Sequence, residues 1–199
     1  LYFHGTVPDN KMNDEKALSD IKNVITAGQL DTAEFLLMDR VSSSEDPFVK
    51  IQSASILLTI GRSDSSDEVL EGLYDEVHGK DGDLFSIAQG MRGLGRGDLA
   101  IGLLEGLGES DDILRERAVS LNMIGRSEEA IENLERISVM TSDDSVLFAE
   151  SLSSIGEHEK ALKLSGELVE EFPDEYNVLR ARGAVLIAAG LEKEAVKYA

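Results

Sequence analysis

The chain has 199 residues, with 39 Asp and Glu against 19 Lys and Arg, a formal net charge of −20 and no Cys. That balance argues against duplex nucleic acid and anionic lipid surfaces, which need clustered Lys and Arg, and the missing Cys removes disulfides, thiol catalysis and Cys-ligated zinc. The apolar fraction of 42% is that of a folded chain, and no run approaches the roughly 20 apolar residues of a membrane-spanning helix.

The first residues, Leu1-Tyr2-Phe3-His4-Gly5, resemble the end of a protease-cleavable expression tag, with His4 where such a site has Gln. Residues 1–7 are therefore expected to be a tag remnant, and residues 8–199 the natural repeat domain.

From residue 14 onward the chain repeats itself, in expected units 14–46, 47–80, 81–110, 111–141, 142–175 and an incomplete 176–199. Each unit holds a Gly, four mostly polar residues and an Ala: Gly28 to Ala33, Gly95 to Ala100, Gly125 to Ala130, Gly156 to Ala161 and Gly190 to Ala195. A degenerate copy starts at Gly61, so the glycines stand 33, 34, 30, 31 and 34 residues apart. Upstream of each Gly, apolar residues recur at steps of three, as in Ala118, Leu121 and Ile124 or Ala149, Leu152 and Ile155. That period describes one face of a helix, which the glycine ends in a left-handed conformation.

Asp31, Asp98 and Ser127 are expected to N-cap the helices that follow. Those helices have their own stripe, seen in Ala130-Ile131, Leu134 and Ile137, and Pro173 is expected to stop one of them after Phe172. Strands are not expected, because β-branched alternation is missing.

With each ladder glycine as unit position 15, the alanines from Ala33 to Ala195 fall on position 20. Ala88, Ala118, Ala149 and Gly183 fall on position 8, and Pro173 on position 32. In this pattern the chain resembles the tetratricopeptide-repeat family from about residue 14 to 199. It departs from the family in lacking Trp and in having shortened third and fourth units. The resemblance implies an all-α fold, an α-solenoid in which antiparallel helix pairs stack into a right-handed superhelix. A lone hairpin has too little core to stand by itself. The last unit stops early at Ala199, so further natural sequence is expected there.

Patterned chemistry is sparse. His78 and His158 stand in no ligand-spaced cluster and read as exposed, solvated side chains. No Gly-x-Ser-x-Gly elbow occurs, and Gly93 to Asp98 has neither a phosphate-loop spacing nor a preceding strand. The acidic clusters 64–68, 81–83 and 143–144 lack the pattern of a calcium loop. No catalytic, cofactor or metal site is expected, and the chain is not expected to be an enzyme. Seven glycines between Gly90 and Gly108 admit two readings: close helix contacts, notably at Gly102 and Gly106, or a soft joint.

The resemblance places positions 5, 9 and 12 of each first helix on a concave groove that binds peptides or partner helices. The candidate groove residues are Lys22, Ile51, Phe85, Gln89, Arg92, Arg115, Asn122 and Arg180. One reading has Arg92 and Arg115 hold an acidic or C-terminal carboxylate while Asn122 bonds ligand backbone. The other has these arginines form salt bridges with acidic residues of neighbouring units. Leu18, Ile51, Leu58 and Phe85 offer an apolar end that suits an amphipathic helix.

The expected function is a non-catalytic, cytoplasmic protein-interaction scaffold for a protein or peptide, with no nucleic acid and no membrane. An oligomerisation or regulatory arm of a larger protein, including a homo-oligomer, is the alternative, and single-stranded RNA reading comes last.

Overall fold

The computed structural model describes the backbone of residues 9–198 and the side chains of residues 16–198; the expected tag remnant lies outside them. All six ladder glycines adopt left-handed φ, from 75° at Gly28 to 87° at Gly95. Each closes its helix in the same way. In the first hairpin Gly28 N–H donates to Ile25 O at 2.9 Å and Gln29 N–H to Val24 O at 3.1 Å, so the orphaned carbonyls of the last turn are satisfied.

The result is a series of helical hairpins, with no strand among the described residues. They pair α1 (Asp9–Thr26) with α2 (Leu30–Ser43), α3 (Pro47–Thr59) with α4 (Ser63–Val77), and α5 (Leu84–Gly93) with α6 (Gly97–Leu104). Next come α7 (Asp111–Met123) with α8 (Ser127–Leu134), and α9 (Ser142–Ser154) with α10 (His158–Glu171). Last, α11 (Tyr176–Ala188) pairs with the short α12 (Glu192–Ala195) and a 3-10 turn, Val196–Tyr198. Phe172 is the C-cap of α10, so the helix ends just ahead of Pro173.

The expected N-caps are displaced. Gln29, Arg96 and Arg126 occupy the cap positions and make no side-chain cap bond, while Asp31 and Asp98 lie in the first turn and Ser127 begins its helix. The reason is the tightness of the turn: the residue after each glycine closes one helix and opens the next, which fixes its backbone before a capping side chain can be chosen. Asp31 and Asp98 still favour the helix through its N-terminal dipole. Side-chain caps sit between hairpins instead, where Asp46, Asp83, Ser110 and Thr141 accept from the following helix.

The chain divides into two compact units, Leu1–Gly82 and Asp83–Ala199. In the first, Ala33, Leu37, Ala54, Leu57, Leu70 and Leu73 form the core. Arg40 is buried with them, donating to Ser53 Oγ and Gln52 Oε1, both at 2.9 Å. In the second, Leu114, Ala118, Leu121, Ala130 and Leu134 pack together, followed by Val146, Leu168, Val178 and Ala181 and by Ala149, Leu152, Ala161 and Val185. The alanines of the repeat are fully enclosed, which is why position 20 tolerates only a small side chain.

The glycine-rich stretch lies inside the second unit, after the division at Gly82/Asp83. Its close approach is at Gly97, where a Cβ would stand 2.9 Å from Ser120 O. Gly102 is within α6 and Gly106 lies beyond it with open space around it, so Gly106 makes no such contact.

Candidate partner-binding face

Lys22 and Ile51 belong to the first unit, on α1 and α3; the other six candidates belong to the second. Lys22 is exposed and Ile51 half-buried. In the second unit the candidates follow one another along α5, α7, α9 and α11, and most are tied to a neighbouring hairpin.

Arg92 of α5 pairs through Nε with Glu116 of α7, which also accepts from Gln89 Nε2 at 3.4 Å. Arg115 of α7 donates Nε to both oxygens of Asp144 on α9, at 2.8 and 2.9 Å. Its Nη1 reaches Asp112 at 3.0 Å and its Nη2 the Val139 carbonyl at 3.0 Å. Arg180 of α11 bonds Glu150 of α9 at 2.9 Å. A carboxylate therefore accompanies each of these arginines, and successive first helices are linked by charge-assisted bonds. The hydrogen bond to Asp144 is the main reason that the Arg115 guanidinium holds its proton more tightly than usual, with the charges of Asp144, Asp112 and Asp111 adding to it. Phe85 is half-buried.

Between α7, α9 and α11 a cleft of about 340 Å³ remains, lined by Asn122, Glu150, Ser153, Ser154, Ala184, Val185 and Ala188. Asn122 stands at its edge with a fixed orientation. Its Oδ1 accepts from Ser127 Oγ at 2.9 Å and from Ser151 Oγ at 3.2 Å, which leaves the Nδ2 donors for another partner. Of the candidates, the cleft takes in Asn122, with Arg180 bound to its Glu150 wall. Of the floor, Glu150, Ser153 and Ala184 stand at the groove-facing positions 9 and 12 of their units, as the resemblance implies. Ser154 and Ala188, both at position 13, lie just outside that set.

The histidines serve no such arrangement. His78 is exposed and stacks on Tyr74, while His158 is half-buried rather than solvated, with Nδ1 enclosed. Among the described residues no group of three His, Cys, Asp or Glu is placed to hold a metal ion, and no helix is long and apolar enough to cross a membrane.

Helical hairpins closed by left-handed glycines, packed through enclosed alanines and linked by inter-hairpin ion pairs define an α-helical repeat protein. The tetratrico peptide repeat family model matches residues 111–199, and solved structures of tetratricopeptide-repeat proteins share the fold over most of the chain. A tetratricopeptide repeat protein from Parabacteroides merdae is similar over 94% of this chain and 77% of its own, at 14% identity and a TM-score of 0.64. MamA is similar over 73% of this chain and 89% of its own, at 21% identity and a TM-score of 0.51. A chain of the APC/C hetero-tetramer Cut9-Hcn1 is similar over 93% of this chain but 38% of its own, at 11% identity and a TM-score of 0.51. No curated protein matches the sequence significantly.

Proposed function

We propose that the chain is a non-catalytic interaction scaffold that binds an extended peptide or a partner helix along α7, α9 and α11 of its second unit. The cleft between these helices carries the reading. Ala184 and Ala188 present apolar contact there, and Ile187, 59% exposed on the same helix, extends it. Asn122, held by two serine hydroxyls, offers its amide donors to a peptide carbonyl.

Gln89, Arg92, Arg115 and Arg180 border this face, but a ligand carboxylate would have to displace Glu116, Asp144 or Glu150 to reach the guanidinium groups. Apolar and backbone contacts therefore lead, and the arginines set the spacing of the helices that make the cleft. In the first unit Lys22 and Ile51, with Leu18 and Leu58, offer a more apolar surface suited to an amphipathic helix.

The test is capture from the source lysate by wild type beside Ala184→Trp. Ala184 is exposed, so the indole fills the cleft without entering the core. A partner kept by wild type and lost by the variant supports the cleft; equal recovery moves the site elsewhere. The second reading, an assembly arm of a larger protein, is favoured by the similarity to a hetero-tetramer chain of which this chain spans 38%.

A further inference from the structure

The segment 78–83 follows α4, and every residue in it is exposed. Its backbone is anchored at both ends. Gly79 takes a left-handed φ of 74° and the Lys80 N–H donates to the Val77 carbonyl at 3.0 Å, which closes α4. At the other end Asp83 caps α5: its carboxylate accepts the Ser86 N–H at 3.1 Å and its carbonyl the Ile87 N–H at 3.2 Å. Asp81 and Gly82 lie between these anchors. Among the described hydrogen bonds and ion pairs, none uses the Gly82 N–H or the Asp81 carboxylate.

The sequence adds a second observation. Asp81-Gly82 is the one Asp-Gly pair of the chain, and no Asn-Gly occurs. Glycine, with no Cβ, leaves its own nitrogen unshielded and its backbone free to turn. The two Asp-Ser pairs are held quite differently. Asp64-Ser65 lies in the first turn of α4. In Asp144-Ser145 the Ser145 N–H donates to the Thr141 carbonyl at 3.1 Å, and the buried Asp144 carboxylate is bonded to Arg115. The chain therefore presents a free amide nitrogen beside a free carboxyl at Asp81-Gly82, where closing the two into a five-membered ring meets no obstacle.

We propose that Asp81 is a site of isoaspartate formation in the folded chain. The Gly82 nitrogen attacks the side-chain carboxyl carbon of Asp81 and forms a C–N bond. The amide proton and the carboxyl hydroxyl leave together as water, giving a succinimide. Water then opens the ring. Attack at the side-chain carbonyl restores Asp, and attack at the main-chain carbonyl gives isoaspartate, with one more methylene in the main chain and the charge unchanged. Water is the sole co-reactant. Because the hydroxyl departs from a protonated carboxyl, the reaction runs faster at mildly acidic than at alkaline pH. No residue of the peptide-binding face takes part.

Ageing the purified full chain in heavy-oxygen water at mildly acidic pH tests it, with circular dichroism to confirm the fold and mass spectrometry of its peptides as the readout. The Asp81 peptide is expected to take up one heavy oxygen and to split into two chromatographic forms, the new one a substrate for an isoaspartyl carboxyl methyltransferase. Asp81 should convert more than about tenfold faster than Asp144 while the chain is folded, and the gap should narrow in guanidinium chloride as the Ser145 N–H is released. Gly82 has no positive φ and nothing within 4 Å of a new Cβ, so Gly82→Val keeps the fold. Its stiff, branched side chain should slow conversion at Asp81 more than about tenfold. An Asp81 peptide without heavy oxygen, equal conversion at Asp144 in the folded chain, a gap unchanged by guanidinium chloride, or a Gly82→Val variant that ages like wild type overturns the proposal.

Discussion

Arg115 Nε lies 2.8 and 2.9 Å from the two carboxylate oxygens of Asp144, so a single guanidinium of α7 fixes the first turn of α9. Asp144 is 2% exposed, and its Oδ2 also accepts the Thr141 N–H at 2.8 Å in a capping box. One buried carboxylate therefore does two jobs: it caps its own helix and joins it to the hairpin before.

Asp144→Ala removes both. A lost cap costs about 1 kcal/mol and a lost charge-assisted hydrogen bond about 1.5–3 kcal/mol, so the variant should be about 2–4 kcal/mol less stable. Asp144→Asn keeps a capping oxygen and should lose less. Urea unfolding midpoints at unchanged slope measure the difference, and equal stability of the two variants would deny the cap its part.

The Arg92–Glu116 pair makes a second case, since Glu116 is buried. A double-mutant cycle to Ala should give a coupling of about 1 kcal/mol or more, because either single change strands the other group. The exposed Arg126–Glu129 pair at the start of α8 should show no measurable coupling by the same method.

Two glycines should respond in opposite directions. Gly97→Ala sets a Cβ against the Ser120 carbonyl, with Ile124 Cγ2 3.1 Å away, and should cost about 1–3 kcal/mol. Gly72 lies inside α4 with nothing within 4 Å of a new Cβ, so Gly72→Ala should stabilise by about 0.5–1 kcal/mol. Thermal unfolding of both variants decides it.

Acid sensitivity follows from carboxylates that are more acidic in the folded chain. The Ser138 N–H donates to Asp111 at 3.0 Å and is the main cause holding this carboxyl below its ordinary value of 3.8, with Val139 N–H adding to it. Asp83, Asp98 and Glu109 shift the same way, each chiefly through a side-chain hydrogen bond, to Ser86, Arg96 and Arg136 respectively. A lowered folded value contributes stability that is present above the unfolded value and is lost as pH falls through the folded one. Stability should therefore hold above about pH 5 and decline below about pH 4. Asp111→Asn should start lower and decline less, as circular dichroism during acid titration would show.

The hairpins were legible because their determinants are local. A glycine forced to positive φ, an apolar face three residues in period and an alanine too enclosed to enlarge all leave marks within one unit of sequence. The N-caps were misplaced because Gln29, Arg96 and Arg126 are fixed by the turn's backbone, which composition does not display. The arginines were found, but both of their readings remained open in the sequence: whether Arg115 faces a ligand or Asp144 depends on how α7 and α9 pack, 29 residues apart. His158 failed for the same reason, since its enclosure is a property of neighbours. The cleft floor was legible only in part: Ser153 and Ala184 stand at groove-facing positions, but Ala188 does not, and small residues look alike whether they face a core or a groove.

The most direct measurement of the scaffold account is a hydrogen-exchange footprint of a captured partner on the full chain. Binding along the first helices predicts slowed exchange in α7, α9 and α11, centred on Asn122 and on 184–188, with α8 and α10 unchanged. Protection confined to α8 and α10, or absent from the second unit altogether, would contradict it.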